Sequence, residues 1–398
     1  MAKKPSDWNH ISFVFKIHPN HAQQQLIHQT FGCVRFVYNM ILHHNLNESK
    51  LQRDHAIKKL PLLKKTCEWL KSVDAIALQA AVEHLYNGYE RYDKEKTKTY
   101  RKNVLRKMAS EGYVPTDYDH IKHPKFKTRK NPVQSYTTKQ TNGNIAVKEK
   151  AIKLPKLGWI RMSQSREING ILKRVTVSRD SVGRYFVSIL CQKNDSPYLR
   201  AKQASVGIDL GLKSFAVLSH GAKVNHPKSY ATYEKRLAFL QRSLSRKEPR
   251  SKSFERNKKA IAKLHLKIKN TRHDFLHKLT TRLIHDNQVI GLETLKVKNM
   301  VQNKKWSKPI HDASWSTLKA MLTYKAKWYG RKIVFIDSFF PSSQLCSQCG
   351  YKHREVKNLE LRKWECHACG SYHDRDHNAA KNIEKEALML SLEIQPSV

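Results

Sequence analysis

The chain has 398 residues, with 75 Lys plus Arg against 33 Asp plus Glu, a formal net charge of +42. A compact fold with that excess repels itself unless a polyanion neutralises it, so the composition points to nucleic acid; a surface of solvated lysines, as in ribosomal proteins, would point to the same partner. The length suits two or three domains, no run of about 18 apolar residues is present to span a membrane, and Met1–His10 lacks the apolar stretch of a secretory signal.

Taken in chain order, Ile11–Ile17 alternates imperfectly between apolar and polar residues and reads as a strand ended by His18-Pro19-Asn20. Asn20 is placed to cap a helix whose apolar stripe is Leu26, Phe31, Val34, Val37 and Ile41. A second helix is expected from about Asp74 to Tyr92, with Leu78, Val82, Leu85 and Tyr89 on one face. Lys94–Lys107 is strongly cationic and suits a phosphate backbone. From about 110 to 200 the pattern becomes short strands and turns, with turns at Gly143-Asn144 and Leu154–Gly158 and strands at Leu172–Val177 and Tyr185–Cys191. A small β-barrel is the expectation, and Lys122, Lys125, Lys127, Arg129 and Lys130 give it nucleic-acid contacts.

From Val206 the character changes again. Val206–Leu210 and Phe215–Leu218 read as a β-hairpin closed at His220-Gly221. A charged helical hairpin follows, with Pro249 between its arms, then a strand at Gln288–Leu292, a helix around Ser316–Tyr329 and a strand at Lys332–Ile336. That order is α/β with mixed pairing. Asp209 stands among apolar residues in VGIDLGL, where an unpaired carboxylate is expensive. Glu293 ends the next apolar strand, and Asp376 opens the last helix, whose inner face is Ala379, Ile383, Ala387 and Leu390. Asp374 competes with Asp376 for the third position. Each acid alone reads equally as a turn, strand-end or capping residue. Three brought together would repel one another unless divalent cations neutralised them, which is the chemistry of phosphodiester hydrolysis with two ions roughly 3.5–4 Å apart.

Four of the seven cysteines, Cys346, Cys349, Cys366 and Cys369, form two C-x2-C pairs sixteen residues apart, with Gly350 and Gly370 following the second thiol of each pair. That spacing predicts one structural Zn²⁺, since four thiolates leave no open coordination position. His353, His367 and His373 are expected to be bystanders. Cys33, Cys67 and Cys191 are an odd, scattered set unlike a disulfide framework, so a reducing cytoplasm is expected.

The joint pattern resembles a known family. HPNHAQQQLIHQTFGCVRFVYN, LPKLGW, GIDLGLKSFAV, GLETLKVKNM, HDASWSTLKAMLTYKAKWYGRKIVFID, FPSSQLCSQCG and HDRDHNAAKNI, spread over most of the chain, are similar to the motifs of TnpB, the RNA-guided nuclease of bacterial insertion sequences related to type V CRISPR effectors. The resemblance implies a multidomain α+β chain. A wedge-like β-barrel (1–19 and 110–200) carries an inserted helical recognition domain (20–109). A RuvC, RNase H-like nuclease domain (201–398) follows, with a zinc ribbon at about 341–373. It implies Asp209, Glu293 and Asp376 as the catalytic triad holding two Mg²⁺ or Mn²⁺ ions, with no triad member missing. It also implies a guide RNA from the end of the transposable element that pairs with target double-stranded DNA beside a short motif, one site that cuts both strands, a monomeric protein, and a location on the bacterial nucleoid. By motif position Ala75, Ile76 and Gln79, with Thr141 and Asn142, would face the target-adjacent duplex, where Gln79 can bond an adenine edge. The alternatives are a zinc-ribbon nucleic-acid binder or guided transcriptional regulator that cuts nothing, and a transposase that joins DNA ends with a similar triad.

Overall fold

The protein is described by a computed structural model covering residues 9–47, 51–108, 123–193, 200–295, 297–358 and 360–393, with the backbone alone over 95–108. It forms two compact units, Met1–Asn194 and Asp195–Val398. Lys122 and most side chains of the cationic stretch Lys94–Lys107 lie outside the described residues. No described helix is long and apolar enough to cross a membrane.

In the first unit, β1 (Asn9–His18) buries Phe13, Phe15 and Ile17 and turns Ser12, Val14 and Lys16 outward, as its period-2 pattern requires. Asn20 and Gln23 then form a reciprocal cap: Asn20 Oδ1 accepts from the Gln23 amide at 2.8 Å, and Gln23 Oε1 accepts from the Asn20 amide at 3.0 Å. The Gln23 side-chain amide also donates to the carbonyls of Leu157 and Trp159, so the start of α1 (His21–Asn47) is tied to the LPKLGW turn. Three further helical pieces, α2 (Arg53–Lys58), α3 (Leu60–Thr66) and a 3-10 turn at Glu68–Ser72, lead to α4 (Ala75–Met108). The expected second helix is present and runs sixteen residues past Tyr92.

The chain then returns to the sheet with β2 (Gln134–Lys139), β3 (Ala146–Lys148), β4 (Ala151–Leu154), β5 (Gly158–Ser163), β6 (Ile171–Arg179) and β7 (Tyr185–Lys193). The order is β2-β6-β7-β1-β5-β4-β3, all antiparallel. Among the described residues β2 and β3 are the two edges and do not pair, so the expected barrel is a curled, seven-stranded half-barrel. Because β1 is a central strand, α1 to α4 are an insertion between it and the rest of the sheet.

The second unit is a three-layer α/β unit. Its sheet contains β8 (Gln203–Leu210), β9 (Ala216–Leu218), β10 (Lys223–Val224), β11 (Asn287–Glu293) and β12 (Lys332–Ile336), in the order β10-β9-β8-β11-β12. The hairpin strands pair antiparallel, while β8, β11 and β12 are parallel, so the sheet is mixed. One face packs on α6 (Lys252–Asp286) and α9 (Trp315–Tyr329): Val206, Ile208, Ile290 and Leu292 meet Leu276, Leu283, Leu318 and Leu322. The arm α5 (Ser229–Ser245) precedes α6, and α7 (Val297–Met300) and α8 (Lys304–Ala313) follow β11.

The other face is covered by α10 (Arg375–Glu393), whose Ile383 and Ala387 pack on Val334 and Ile336. Glycine makes that contact possible. Gly207 and Gly291 are register partners on β8 and β11. A Cβ on Gly207 would lie 2.0 Å from the Ala380 carbonyl oxygen, and one on Gly291 would lie 2.6 Å from the Ala387 Cβ. Gly207→Ala is therefore expected to destabilise this unit by about 3 kcal/mol, lowering its Tm by roughly 6–12 °C in a thermal melt. An unchanged Tm would mean that α10 does not sit this close.

Candidate active site

The glycine pair also sets the geometry of the acids. Asp209 and Glu293 each lie two residues beyond a glycine on parallel, in-register strands, so they stand beside one another on the face that α10 covers. Asp376 lies in the first turn of α10, whose N-terminus reaches the same place. The three carboxylates line one cavity of about 730 Å³, together with Ser342, Arg362, Arg375 and Trp306. Sequence reasoning brought the acids together; it missed Ser342, Arg362 and Arg375, although Arg375 sits between two acids in HDRDH.

Asp374 and Asp376 are separated by their surroundings. Asp374 caps α10, its Oδ1 accepting from the amides of Asp376 at 3.1 Å and His377 at 3.2 Å, and its Oδ2 meets Lys223 Nζ at 3.0 Å. Burial pushes its carboxyl up, but Lys223 and the two amides outweigh it and hold the group below the usual range. Asp374 caps the helix, and Asp376 lines the cavity.

The site is electrostatically strained without a cation. Burial pushes the Asp209 carboxyl well above the ordinary carboxylate range, and Glu293 and Asp376 push it further, against the opposing charges of Arg375 and Arg362. Burial also raises Glu293, which the Ser342 hydroxyl offsets in part by donating to Oε1 at 2.6 Å. Arg362 donates to both Asp376 oxygens, at 3.1 and 3.4 Å. No donor reaches Asp209 among the described residues. The three acids line a recess of oxygen donors, the chemistry a hard divalent cation prefers, although among the described residues the four cysteines and not these acids bring their ligand atoms within 4.8 Å of one another.

The four cysteine sulfurs lie within 4.8 Å of one another. Cys346 and Cys369 Sγ are 3.7 Å apart, and Cys349 and Cys366 Sγ are 3.6 Å apart. Tetrahedral coordination at Zn–S distances near 2.3 Å requires S···S separations of about 3.8 Å. Each pair is a knuckle: the Gly350 amide donates to the Cys346 carbonyl at 2.9 Å, and the Gly370 amide to the Cys366 carbonyl at 2.8 Å. Both glycines are left-handed, with φ of 78° and 68°. The donor set therefore fits zinc. None of the three histidines joins the four-sulfur group, and His373 lies beside it, with Nε2 3.1 Å from Cys346 Sγ and 2.8 Å from Ser371 Oγ. His353 meets Trp364 edge-on and His367 at a tilt.

The ribbon is wired to the acidic cavity through α10. Asn378 accepts from the Ser347 amide at 2.9 Å and donates to the Leu345 carbonyl, and Asn382 donates to the carbonyls of Ser342 and Leu345. The same short segment thus carries Cys346 and the serine that holds Glu293. The Arg375 guanidinium donates to the Asn358 carbonyl at 2.7 Å, fixing the far side of the ribbon.

In the first unit, Ala75 and Gln79 are exposed on the first turns of α4, and Ile76 is half-buried with its amide bonded to Asp74. Thr141 and Asn142 are exposed in the turn after β2, where Asn142 and Gly143 take positive φ of 48° and 72°. A Glu83–Lys139 ion pair joins α4 to the end of β2 between these two groups.

The chain is 36% identical over 392 residues to a Streptomyces pristinaespiralis protein named "Putative RNA-guided DNA endonuclease", covering 96% of this chain and 90% of that one. It is 30% identical to InsQ of Escherichia coli K12, which carries the same description, over 94% and 91% of the two chains. The chain belongs to the TnpB family. Family models match residues 188–304 ("Probable transposase", the IS605 OrfB model), 315–383 (Cas12f1-like, TNB domain) and 9–52 (helix-turn-helix domain). In this TnpB-family chain residues 9–47 are β1 and α1, a strand and one helix. A solved structure, that of the mini RNA-guided endonuclease CRISPR-Cas_phi3, matches with a TM-score of 0.50 at 10% identity, covering 94% of this chain and 92% of that one. The likeness concerns the fold alone.

Proposed function

We propose that this chain is an RNA-guided DNA endonuclease whose single cutting site is the cavity of Asp209, Glu293 and Asp376. The observation that carries the reading is the convergence of these three carboxylates from β8, β11 and α10 on one recess, in a chain of net charge +42. The triad would hold two Mg²⁺ ions, or Mn²⁺, which when bound supply an activated water and charge stabilisation at the leaving 3′ oxygen. The chain's own residues set the stage. Ser342 orients Glu293, Asp374 fixes the first turn of α10, and Arg362 and Arg375 place positive charge where a phosphate must enter among acids. The first unit would hold guide RNA and the target-adjacent duplex, the open sheet serving as the wedge and the helices of residues 20–109 as the recognition domain; the nuclease unit would be residues 201–398, and the protein monomeric. The experiment is co-purification with RNA from the element end, then cleavage of a plasmid library with randomised flanks in Mg²⁺. Discrete RNA without cleavage would instead favour the guided regulator.

Gln79, Ile76, Thr141 and Asn142 are the proposed readers of the short motif. Gln79→Ala is expected to remove a bidentate adenine contact worth about 1–3 kcal/mol. In the library assay this would relax the preference at one flanking position by about tenfold to a hundredfold and leave RNA binding unchanged. An unaltered flank preference would return Gln79 to the role of a helix surface residue.

A further inference from the structure

A second concave surface, within the first unit, has a lining that the carboxylate cavity does not explain. Along the outer side of α1, Gly32, Arg35, Phe36, Asn39 and the loop residue Phe126 border a recess of about 530 Å³ with no acidic residue in its wall. Its rings are left in water. Phe126 is 52% exposed and Phe36 37%, and Trp69, which meets Phe36 at a centroid distance of 4.9 Å, is 45% exposed.

Phe126 is nonetheless held in place. Asn39 Oδ1 accepts from the Lys127 amide at 2.7 Å and Asn39 Nδ2 donates to the Lys127 carbonyl at 2.9 Å, pinning the backbone beside the ring. The Lys127 ammonium lies 4.1 Å from the Tyr38 ring centroid, which turns that side chain toward α1. Arg35 is steadied by Gln134 at 3.2 Å. At the recess floor a Cβ on Gly32 would meet nothing within 4 Å. The segment carrying Phe126 reads KFKTRK, with Lys125, Arg129 and Lys130 exposed.

Fixed aromatic faces interleaved with cations match a ligand that is flat and carries phosphate, because every base has a π-face and every nucleotide an anion. We propose that this recess stacks an unpaired nucleobase of the guide RNA, with Phe126 and the Phe36–Trp69 pair as platforms and Arg35 meeting the adjoining phosphate. RNA is favoured over DNA because a folded RNA displays unpaired bases in loops and bulges, whereas target-strand bases are paired in the duplex or with the guide. The inference rests on the guided-nuclease reading above.

The test uses the full chain with its co-purified guide RNA. A Phe126→Ala/Trp69→Ala variant is expected to bind that RNA about tenfold to a hundredfold more weakly, the loss that removed base–aromatic stacking produces. A discrete unpaired nucleotide should gain chemical-probing reactivity at its base, and Phe126→Tyr should restore protection. Gly32→Glu places a carboxylate on the open floor while improving helix propensity, so it is expected to weaken RNA binding with no fall in Tm. Binding within twofold of the parent by both variants, with an unchanged footprint, overturns the subsite and leaves the guided nuclease standing. Normal RNA binding with slowed DNA cleavage makes the occupant a DNA strand and overturns the RNA assignment. A parent chain that holds no RNA overturns the guided reading and the subsite with it.

Discussion

Asp209→Asn is expected to abolish RNA-guided cleavage while leaving guide RNA bound at parental stoichiometry. Losing one carboxylate from a shared metal site removes several kcal/mol of charge stabilisation, on the order of a thousandfold or more in rate. The same variant has a second, opposite signature that a merely structural residue would lack. In metal-free solution Asp209 is held against burial and two like charges, so its folded carboxyl is raised above its unfolded value. The folded state then binds the extra proton, and stability falls as pH rises from the ordinary carboxylate range toward that raised value. A neutral amide removes the penalty. Asp209→Asn is therefore expected to melt above the parent at neutral pH in Mg²⁺-free buffer with the zinc retained, and the gain should shrink in acid and when Mg²⁺ is restored to the parent. A variant that neither cuts nor melts higher, and that also loses its RNA, would make Asp209 a fold residue.

Much of this site was legible because chemistry and period coincide. VGIDLG and VIGLETL each place an acid two residues after a glycine in an apolar strand, and period 2 puts both on one face. What the sequence alone could not convey was why the glycines are there. Their partners, Ala380 and Ala387, lie on a helix 173 and 96 residues further along the chain, and only the register of β8 with β11 makes Gly207 and Gly291 neighbours. The rivalry between Asp374 and Asp376 was likewise undecidable from spacing, because it turns on Lys223, a distant hairpin residue. How far the sheet closes was not legible for a related reason: alternation identifies strands but not whether the edge strands β2 and β3 meet. Short helices such as α2, α3 and α7, of 6, 7 and 4 residues, escaped notice because so few residues give little period to read.

The ribbon yields the other large expected effect. Structural zinc sites of this kind contribute about 10–16 kcal/mol of apparent folding free energy, comparable to or larger than the roughly 5–15 kcal/mol that holds a whole domain together. Cys346→Ser, or stripping with a strong chelator, should therefore melt residues 342–374 as one piece. The consequence is not confined there. Arg362 would leave Asp376, Ser342 would leave Glu293, and Asn378 and Asn382 would lose the carbonyls that seat the start of α10. Cleavage is expected to fall about as far as in Asp209→Asn, although all three carboxylates remain. Hydrogen exchange should show the loss of protection centred on the ribbon and the first turns of α10, with the first unit and its bound RNA unaffected. Arg362→Ala separates the two levels, since it is expected to reduce cleavage while the four thiolates still bind one zinc per chain. A folded, zinc-free Cys346→Ser protein that cuts at the parental rate would show that the ribbon is a bystander to the carboxylates, and the hydrogen bonds through α10 would then need another purpose.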